Sequence, residues 1–434
     1  MHKHIIIISL DALGTEDFNK IRDTEGFKYL VENGSFSSNV RSVYPSLTYP
    51  AHATIVTGKL PRNHGVINNT KIQPDRSNPD WYWFKKDIKG ETLYDIARKQ
   101  KKTVASLLWP VTGRSGITYN LPEIFPVKPY QTQVSQVLSA GSPRYCLELD
   151  KKFSHLRQGI EQPYLDNFTH ECAKYTFKKY SPYMTLIHYV ELDSMRHIHG
   201  YDSEEANESL VRHGEKIKDW IDFLKAEEKL EDTLIVVLGD HSHLPVEKVI
   251  KPNVFLRKLG LIRMLENDII DWKAYFKSCD GSGYIYVKNK KDTELLNLIR
   301  DNLTVLSAYE ENGIKNFIDG RFAGIMGADQ TCTFMLEAQR GYYFSESPTG
   351  EYMEDTKDEN GPIPGLLQSS HGYHPSYDDY KTVFIMAGPG VNKGVEVPDL
   401  CLIDEGPTIA KLMGSSLWGV DGRIRYEFID HDSL

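Results

Sequence analysis

Short runs of consecutive apolar residues alternate with amphipathic stretches along much of this chain. Three of the runs, rich in β-branched residues, predict buried strands of a parallel sheet: Ile5–Leu10, Met184–Leu192 and Thr233–Leu238. Apolar positions near helical spacing predict helices around Phe27–Glu32 and over Glu204–Glu228. This alternation predicts an α/β fold with a mostly parallel central sheet.

The pattern changes near residue 265. Shorter strand-like pieces, including Gly324–Ala328, surround one helical stretch and predict a small inserted α+β cap over 266–364. The catalytic core would then comprise 1–265 and 365–434. The section 111–165 is rich in proline and glycine, so we expect loops there without recognisable chemistry.

Composition narrows the functional classes. A net charge of −9 and a pI near 5.9 argue against binding to nucleic-acid polymers or anionic membranes. No run approaches the roughly 18 apolar residues of a membrane span, and the N-terminal run is broken by Asp11 as a strand would be. Five scattered cysteines without CxxC spacing predict free thiols and a cytoplasmic location. The oligomeric state stays open.

Each of the three predicted strands leads into an aspartate: Asp11, Asp193 and Asp240. Because the carboxyl ends of parallel strands meet at one edge of a sheet, these carboxylates are expected to lie together. His197 follows Asp193 by four residues, a spacing that shares one face of a helical turn, and His241 directly follows Asp240. The pattern therefore predicts a metal cluster, with Gly239 permitting the turn before Asp240.

Two further candidates lie in other parts of the chain. His371 stands in a loop ahead of a predicted final core strand, Thr382–Ala387, and is a candidate ligand. Thr48 is placed at the start of a predicted helix, where its hydroxyl either caps the helix or faces a bound phosphate. The other histidines near these motifs are expected to pack or to support the site: His52, His64, His243 and His374.

These motifs together resemble the type I phosphodiesterase/nucleotide pyrophosphatase family of the alkaline phosphatase superfamily. The matching pieces occur in the family's order: Asp11, Pro-Ser-Leu-Thr-Tyr-Pro at 45–50, Asn-His-Gly at 63–65, Trp-Pro at 109–110, Asp-x-x-x-His at 193–197, Asp-His at 240–241 and Ser-His-Gly-Tyr at 370–373.

The resemblance implies a three-layer alkaline-phosphatase-like sandwich with two zinc ions, other divalent metals being an alternative. One zinc would be held by Asp193, His197 and His371, and the other by Asp11, Asp240 and His241. Thr48 would contact metal and act as the nucleophile. The implied reaction is hydrolysis of phosphodiester or phosphoanhydride bonds in a small molecule or nucleotide, through a phospho-threonine intermediate.

One position departs from the family pattern. An asparagine commonly stands three residues after the nucleophile, where this chain has Ala51. Either His52 or Asn69 replaces the missing donor, or the transition state is stabilised less strongly. Tyr49 is the expected pocket residue. A phosphomonoesterase, a phosphomutase and a non-catalytic metal-dependent binding module stay open as alternatives. A sulfatase is disfavoured because no Cys/Ser-x-Pro-x-Arg pattern occurs around Thr48.

Overall fold

A computed structural model describes residues 2–430 of the chain. It confirms the mostly parallel central sheet, which has nine strands among these residues; of them, only the strand Thr382–Ala387 runs antiparallel to its neighbours. In spatial order the strands are Val395–Glu396, Gly34–Arg41, Thr382–Ala387, Thr233–Leu238, His4–Leu10, Met184–Tyr189, Val104–Leu107 and Tyr119–Leu121, with Leu400–Cys401 also pairing with Gly34–Arg41.

The sheet is buried on both faces, which confirms the predicted three layers. Ile5 and Ile7 enter one apolar core, and Ile6 and Ile8 enter the core on the opposite face. The α-helices of the structure are Thr15–Ile21, Glu25–Asn33, Thr48–Thr57, Pro61–His64, Leu93–Lys99, Gln133–Ala140, Pro143–Phe153, Tyr164–Tyr180, Glu191–His199, Glu204–Ala226, Pro252–Lys258, Thr293–Ser307, Gly320–Ile325 and Glu405–Leu412.

Smaller sheets occupy the second half of the chain. One is antiparallel and lies inside the predicted cap; its strands are, in spatial order, Ala274–Cys279, Ser282–Val287, Phe334–Ala338 and Ile314–Asp319. Another joins Gly341–Phe344, Leu244–Ile250, Met353–Asp355 and Ser369–Ser370. Two-stranded sheets pair Ile262–Leu265 with Asp268–Trp272 and Lys357–Asp358 with Gly361–Pro362. The cap limits, 266 and 364, stay a prediction.

The predicted strand Met184–Leu192 is wrong at its end. The strand stops at Tyr189, and a helix over Glu191–His199 follows. The Asp166 carboxylate accepts hydrogen bonds from the backbone amides of Val190, at 3.0 Å, and Glu191, at 3.1 Å. A carboxylate at the first amides of a helix satisfies donors that the helix leaves unpaired. Because Asp166 comes from a different helix, the local pattern does not reveal this boundary.

The prediction of loops over 111–165 holds for most of 111–132 but is wrong for 133–153, which forms two helices. The helix Gln133–Ala140 is capped by Thr132, whose hydroxyl accepts from the Ser135 amide, and the helix Pro143–Phe153 begins at a proline. Proline suits the first turn of a helix, so Pro143 starts this element instead of breaking it. The piece Gly324–Ala328 is not a strand: its first two residues end the helix Gly320–Ile325 and the other three form a turn, because so short an apolar run does not separate helix from strand.

Two predictions from the sequence concern membrane-spanning segments and the cysteines. Among the described residues, no helix has the length and apolar character needed to cross a bilayer. The five cysteines are free, as predicted. The cytoplasmic location stays a prediction.

Candidate active site

Two neighbouring strands of the central sheet build a buried group of ligand side chains, which we call the buried group: Asp11, Asp240 and His241. The strands His4–Leu10 and Thr233–Leu238 pair in parallel with Ser9 opposite Leu238, so both end at the same level. The His241 Nε2 atom lies 3.4 Å from Asp11 Oδ1 and 3.3 Å from Asp240 Oδ2. The sheet register therefore brings together three of the predicted ligands.

Gly239 precedes this group for a reason different from the predicted one. Its φ is not in the left-handed region. A Cβ atom at this position would lie 2.2 Å from the Thr382 hydroxyl and 2.3 Å from the Leu13 carbonyl oxygen. Glycine is required by this close approach of backbone to the next strand.

The buried group lacks a balancing charge of its own. Burial, followed by the nearby carboxylates of Asp240 and Asp193, raises the pKa of Asp11 well above its ordinary value. Asp11 Oδ1 and Asp240 Oδ2 are buried and have no hydrogen-bond partner. Because unpaired buried carboxylate oxygens are costly, their convergence with an imidazole nitrogen fits a bound cation.

A second group, which we call the helix group, lies beside the first and contains Asp193, His197, His243 and His371. The helix Glu191–His199 presents Asp193 and His197 one turn apart, as their spacing predicts. Relative to Asp193 Oδ1, the Nε2 atoms of His243, His197 and His371 lie at 2.8, 3.4 and 3.8 Å. His243 was expected to be a packing or supporting residue, but the structure places it among the candidate ligands.

The helix group is electrostatically paired within itself. Burial favours the protonated carboxyl, yet the adjacent His197 and His243 hold the pKa of Asp193 well below its ordinary value. Burial lowers the pKa of His243 to about 3, so its ring is neutral near pH 7. Stacking of the His241 and His371 rings, with centroids 4.1 Å apart, joins the helix group to the buried group.

Backbone contacts hold the His371 loop in place. The strand Ser369–Ser370 pairs with Leu244 and Pro245, which brings His371 next to His243. The Gly372 amide donates to the Ser46 carbonyl oxygen at 3.0 Å. Gly372 has φ +82°, and a Cβ there would lie 1.8 Å from a backbone oxygen of Cys279. Glycine after His371 is thus required by conformation and by space.

A buried arginine fixes the helix against the central sheet. Arg196 donates from Nη1 to Asp17 Oδ2 and to the Ala12 carbonyl oxygen, both at 2.9 Å. Ala12 directly follows Asp11. Arg196 therefore ties the helix that carries Asp193 to the turn that carries the first ligand of the buried group.

Thr48 faces the buried group. It is the first residue of the helix Thr48–Thr57, with Leu47 as the N-cap, so the capping interpretation of its hydroxyl is wrong. Its Oγ1 atom lies 3.2 Å from the Nε2 atom of His241. A hydroxyl at a helix N-terminus beside ligand side chains can contact a metal and a phosphoryl group at once.

Asn69 lies next to the backbone of the residue after Thr48. Its Oδ1 atom accepts from the Tyr49 amide at 2.9 Å, and it lines the same cavity as Thr48. His52, the other predicted donor, donates from Nδ1 to the Thr48 carbonyl oxygen at 2.7 Å and is fully buried. Asn69 is thus the better-placed polar group, while Ala51 packs in the core.

Glu123 and His188 contact the site without having been predicted. His188 lies between Asp11 Oδ2 and Glu123 Oε2, with each ring nitrogen at 3.1 Å from one of them. Burial alone would lower its pKa, but the two carboxylates raise it well above the ordinary value. Glu123 also accepts from the Tyr49 hydroxyl at 3.0 Å. His188 interrupts a largely apolar strand, so the sequence offers a signal by which it could have been recognised as a site residue. The sequence offers no such signal for Glu123.

Asp280 is another carboxyl group that the sequence pattern did not indicate. Its Oδ2 atom lies 3.8 Å from His371 Nε2, and it lines the cavity with Thr48. Burial, as the largest cause, raises the pKa of Asp280 to about 6.

Both groups open onto one cavity of about 910 Å³. Asp11 and Thr48 line it from one side, and Asp193, His197 and His371 from the other. Its apolar wall comes largely from the segment predicted to be loops, through Leu121, Ile124, Phe125, Val137, Leu138 and Leu147. The segment 111–165, where no functional residues were expected, therefore forms much of the apolar wall of the cavity that Thr48 lines.

Comparison with known families agrees with this geometry. A family model described as type I phosphodiesterase/nucleotide pyrophosphatase matches residues 5–374. The chain belongs to this family. The resemblance inferred from the ordered motifs is thereby confirmed.

Curated relatives of this chain include ectonucleotide pyrophosphatases/phosphodiesterases. Human ectonucleotide pyrophosphatase/phosphodiesterase family member 1 is 24% identical over 220 residues, which are 48% of this chain and 20% of that protein. Ectonucleotide pyrophosphatase/phosphodiesterase 1 of Saccharomyces cerevisiae is 22% identical over 91% of this chain and 54% of its own length. The chain thus spans between a fifth and about half of the length of these relatives.

A solved structure shares the fold of this family member. Murine ectonucleotide pyrophosphatase/phosphodiesterase 5, an inactive variant in complex with AMP, superimposes with a TM-score of 0.66 and 16% identity. The match covers 97% of both chains.

Proposed function

We propose that this chain is a zinc-dependent hydrolase of phosphodiester or phosphoanhydride bonds in small molecules, with Thr48 as its nucleophile. The observation that carries the proposal is the Thr48 hydroxyl, at a helix N-terminus, 3.2 Å from His241 Nε2. The family supports it, as does the AMP bound to the murine structural neighbour.

Two ligand sets would hold the metal ions. Asp11, Asp240 and His241, together with Thr48, would hold one ion, and Asp193, His197 and His371 the other. The oxygen and nitrogen donors in both sets are those of catalytic zinc sites, and the partnerless buried oxygens of Asp11 and Asp240 fit a cation. When bound, the ions supply positive charge that lowers the pKa of the Thr48 hydroxyl and stabilises the phosphoryl oxygens.

The residues of the chain perform the remaining steps. Thr48 Oγ1 attacks phosphorus in line with the leaving group, and the P–O bond to the departing alcohol or phosphate breaks. The phosphoryl group, still carrying its other substituent, is then esterified to Thr48 until water cleaves that ester and restores the hydroxyl. The Tyr49 amide donates to Asn69 Oδ1 beside Thr48, which leaves the Asn69 Nδ2 group to donate to a phosphoryl oxygen.

Charge favours a diester over a monoester. The two dications and the three ligand carboxylates, of Asp11, Asp193 and Asp240, sum to about +1, and the nearby Asp280 carboxyl lowers this further. The single charge of a diester suits so low a positive charge better than the two charges of a monoester. A monoester exposes a third oxygen that calls for a strong donor such as arginine. Arg157 lines the cavity, but its guanidinium pairs with Asp150 at 2.5 Å. The apolar wall of the cavity offers room for the second ester group of a diester.

The test compares two chromogenic substrates on the zinc-loaded full chain. Bis-(4-nitrophenyl) phosphate is expected to exceed 4-nitrophenyl phosphate in kcat/KM by about tenfold or more, equivalent to about 1.4 kcal/mol. Val137→Asp should reduce the diester rate more than the monoester rate, because it charges the apolar wall. Ser139→Asp, an exposed change on the same helix, is the matched control. Equal or reversed efficiencies would favour a phosphomonoesterase, and zinc binding without any turnover would favour a binding module.

A further inference from the structure

The fourth member of the helix group, His243, has the surroundings of a metal ligand. It is fully buried, and its Nε2 atom lies 2.8 Å from Asp193 Oδ1. Its nitrogen, the Asp193 oxygen and one nitrogen each of His197 and His371 lie within 4.8 Å of one another. Three ligands were expected at this position, so a fourth convergent ligand atom needs a physical explanation.

Ser369 decides which nitrogen of His243 carries the proton. The Ser369 hydroxyl donates its single hydrogen to the Leu244 carbonyl oxygen at 3.1 Å. Its oxygen therefore accepts from His243 Nδ1, which lies 3.1 Å away. In a neutral ring the Nε2 lone pair then faces the Asp193 carboxylate. Two electron-rich atoms at 2.8 Å repel each other unless a proton or a metal ion lies between them, and the convergence of two further imidazole nitrogens on the same oxygen favours a metal ion.

His197, which the Asp-x-x-x-His motif already predicts to be a ligand, is held in the same way. Its Nδ1 atom lies 3.0 Å from the backbone oxygen of Ser369 and donates to it, which turns Nε2 toward Asp193. One residue, Ser369, thus orients both imidazoles, one through its carbonyl and the other through its hydroxyl. Metal-binding histidines characteristically donate their second nitrogen to such an oxygen, which fixes the ring and the tautomer.

We propose that His243 is a fourth protein ligand of the helix-group metal. The distances from Asp193 Oδ1 to the three Nε2 atoms, 2.8 to 3.8 Å, bracket the roughly 3.3 Å separation of ligands around a tetrahedral zinc. The helix-group ion then has four protein ligands, one more than the three that the motifs indicate. This inference rests on the proposed two-metal function.

The test separates a ligand from a hydrogen-bond donor with two substitutions in the cobalt-loaded full chain. His243→Cys keeps a metal ligand and removes the imidazole, whereas His243→Gln keeps a donor toward Asp193. We expect His243→Gln to lower the affinity of one of the two Co²⁺ ions by at least about tenfold. His243→Cys should retain both ions and acquire a thiolate-to-cobalt charge-transfer band, since a coordinating thiol is deprotonated.

His155→Cys, at an exposed histidine, is the matched control and should lack the band. If His243→Gln retains both ions with parental affinity, or His243→Cys shows no band while binding two ions, His243 is not a ligand. These outcomes leave the two-metal function intact. That function fails separately if the parent chain binds no cobalt and cleaves no diester.

Discussion

The two groups of ligand side chains are built by different parts of the fold. The buried group stands on two central strands that pair residue by residue, and all three of its members are buried. The helix group draws on a helix, on the segment after Asp240 and on the His371 loop, and two of its four members are partly exposed. Both open onto the same cavity, but only the buried group has a contact to Thr48 among the described hydrogen bonds.

This difference suggests a division of roles. A site on the ends of neighbouring buried strands is rigid, so it can hold a nucleophile in a fixed position. A site assembled from separate segments depends on long-range anchors, such as the Arg196 contacts to Asp17 and Ala12. We therefore infer that the buried group activates Thr48, while the helix group mainly supplies charge and holds the substrate.

The largest effect is expected from Thr48→Ala. Loss of the hydroxyl removes the nucleophile, so hydrolysis of bis-(4-nitrophenyl) phosphate should fall by at least about a thousandfold. Metal content and thermal unfolding should stay close to those of the parent, because Asp11, Asp240 and His241 still hold the ion that Thr48 contacts and Thr48 is not the helix cap. Steady-state kinetics, metal analysis and a melting curve measure these three quantities.

Thr48→Ser provides the control, since it keeps a hydroxyl and should retain part of the activity. If Thr48→Ala keeps the turnover of the parent, the contact of Thr48 with the buried group has no role in catalysis. The division of roles between the two groups is then wrong.

A smaller effect is expected from Asn69→Ala. This change removes the side chain that lies against the Tyr49 amide. We expect kcat to fall by about a hundredfold, since loss of one donor to a developing oxyanion typically has that effect. Both metal ions should stay bound. Asn68→Ala is unsuitable as a control because the Asn68 side chain donates to the Ser278 carbonyl oxygen. The exposed Asn267, changed to Ala, serves instead. An unchanged kcat would remove Asn69 from the site.

The arrangement of the buried group could be predicted because each strand and the aspartate that follows it are adjacent in the sequence. Each of the two strands is a short apolar run, each leads into an aspartate, and adjacent parallel strands bring such ends together. Asp193 and His197 were also predicted to lie on one face of a helical turn, although the predicted strand before them extended too far. Their four-residue spacing holds in a helix whatever its exact start.

The remaining features depend on contacts between distant segments. His243 joins the helix group because Leu244 and Pro245 pair with Ser369 and Ser370, more than a hundred residues later. Glu123 reaches Tyr49 and His188 from a segment whose helices were not recognised. In both cases tertiary structure, and not the local pattern, decides which side chains meet.

The central claim is that each group holds one metal ion, and metal content tests it most directly. After zinc loading and exhaustive dialysis, the parent chain should contain two zinc ions per chain. Asp240→Asn and Asp193→Asn should each reduce the content to about one and abolish most of the diester hydrolysis. Asp23→Asn, at an exposed aspartate, should retain both ions. One ion in the parent chain, or full turnover after chelation, would contradict the account.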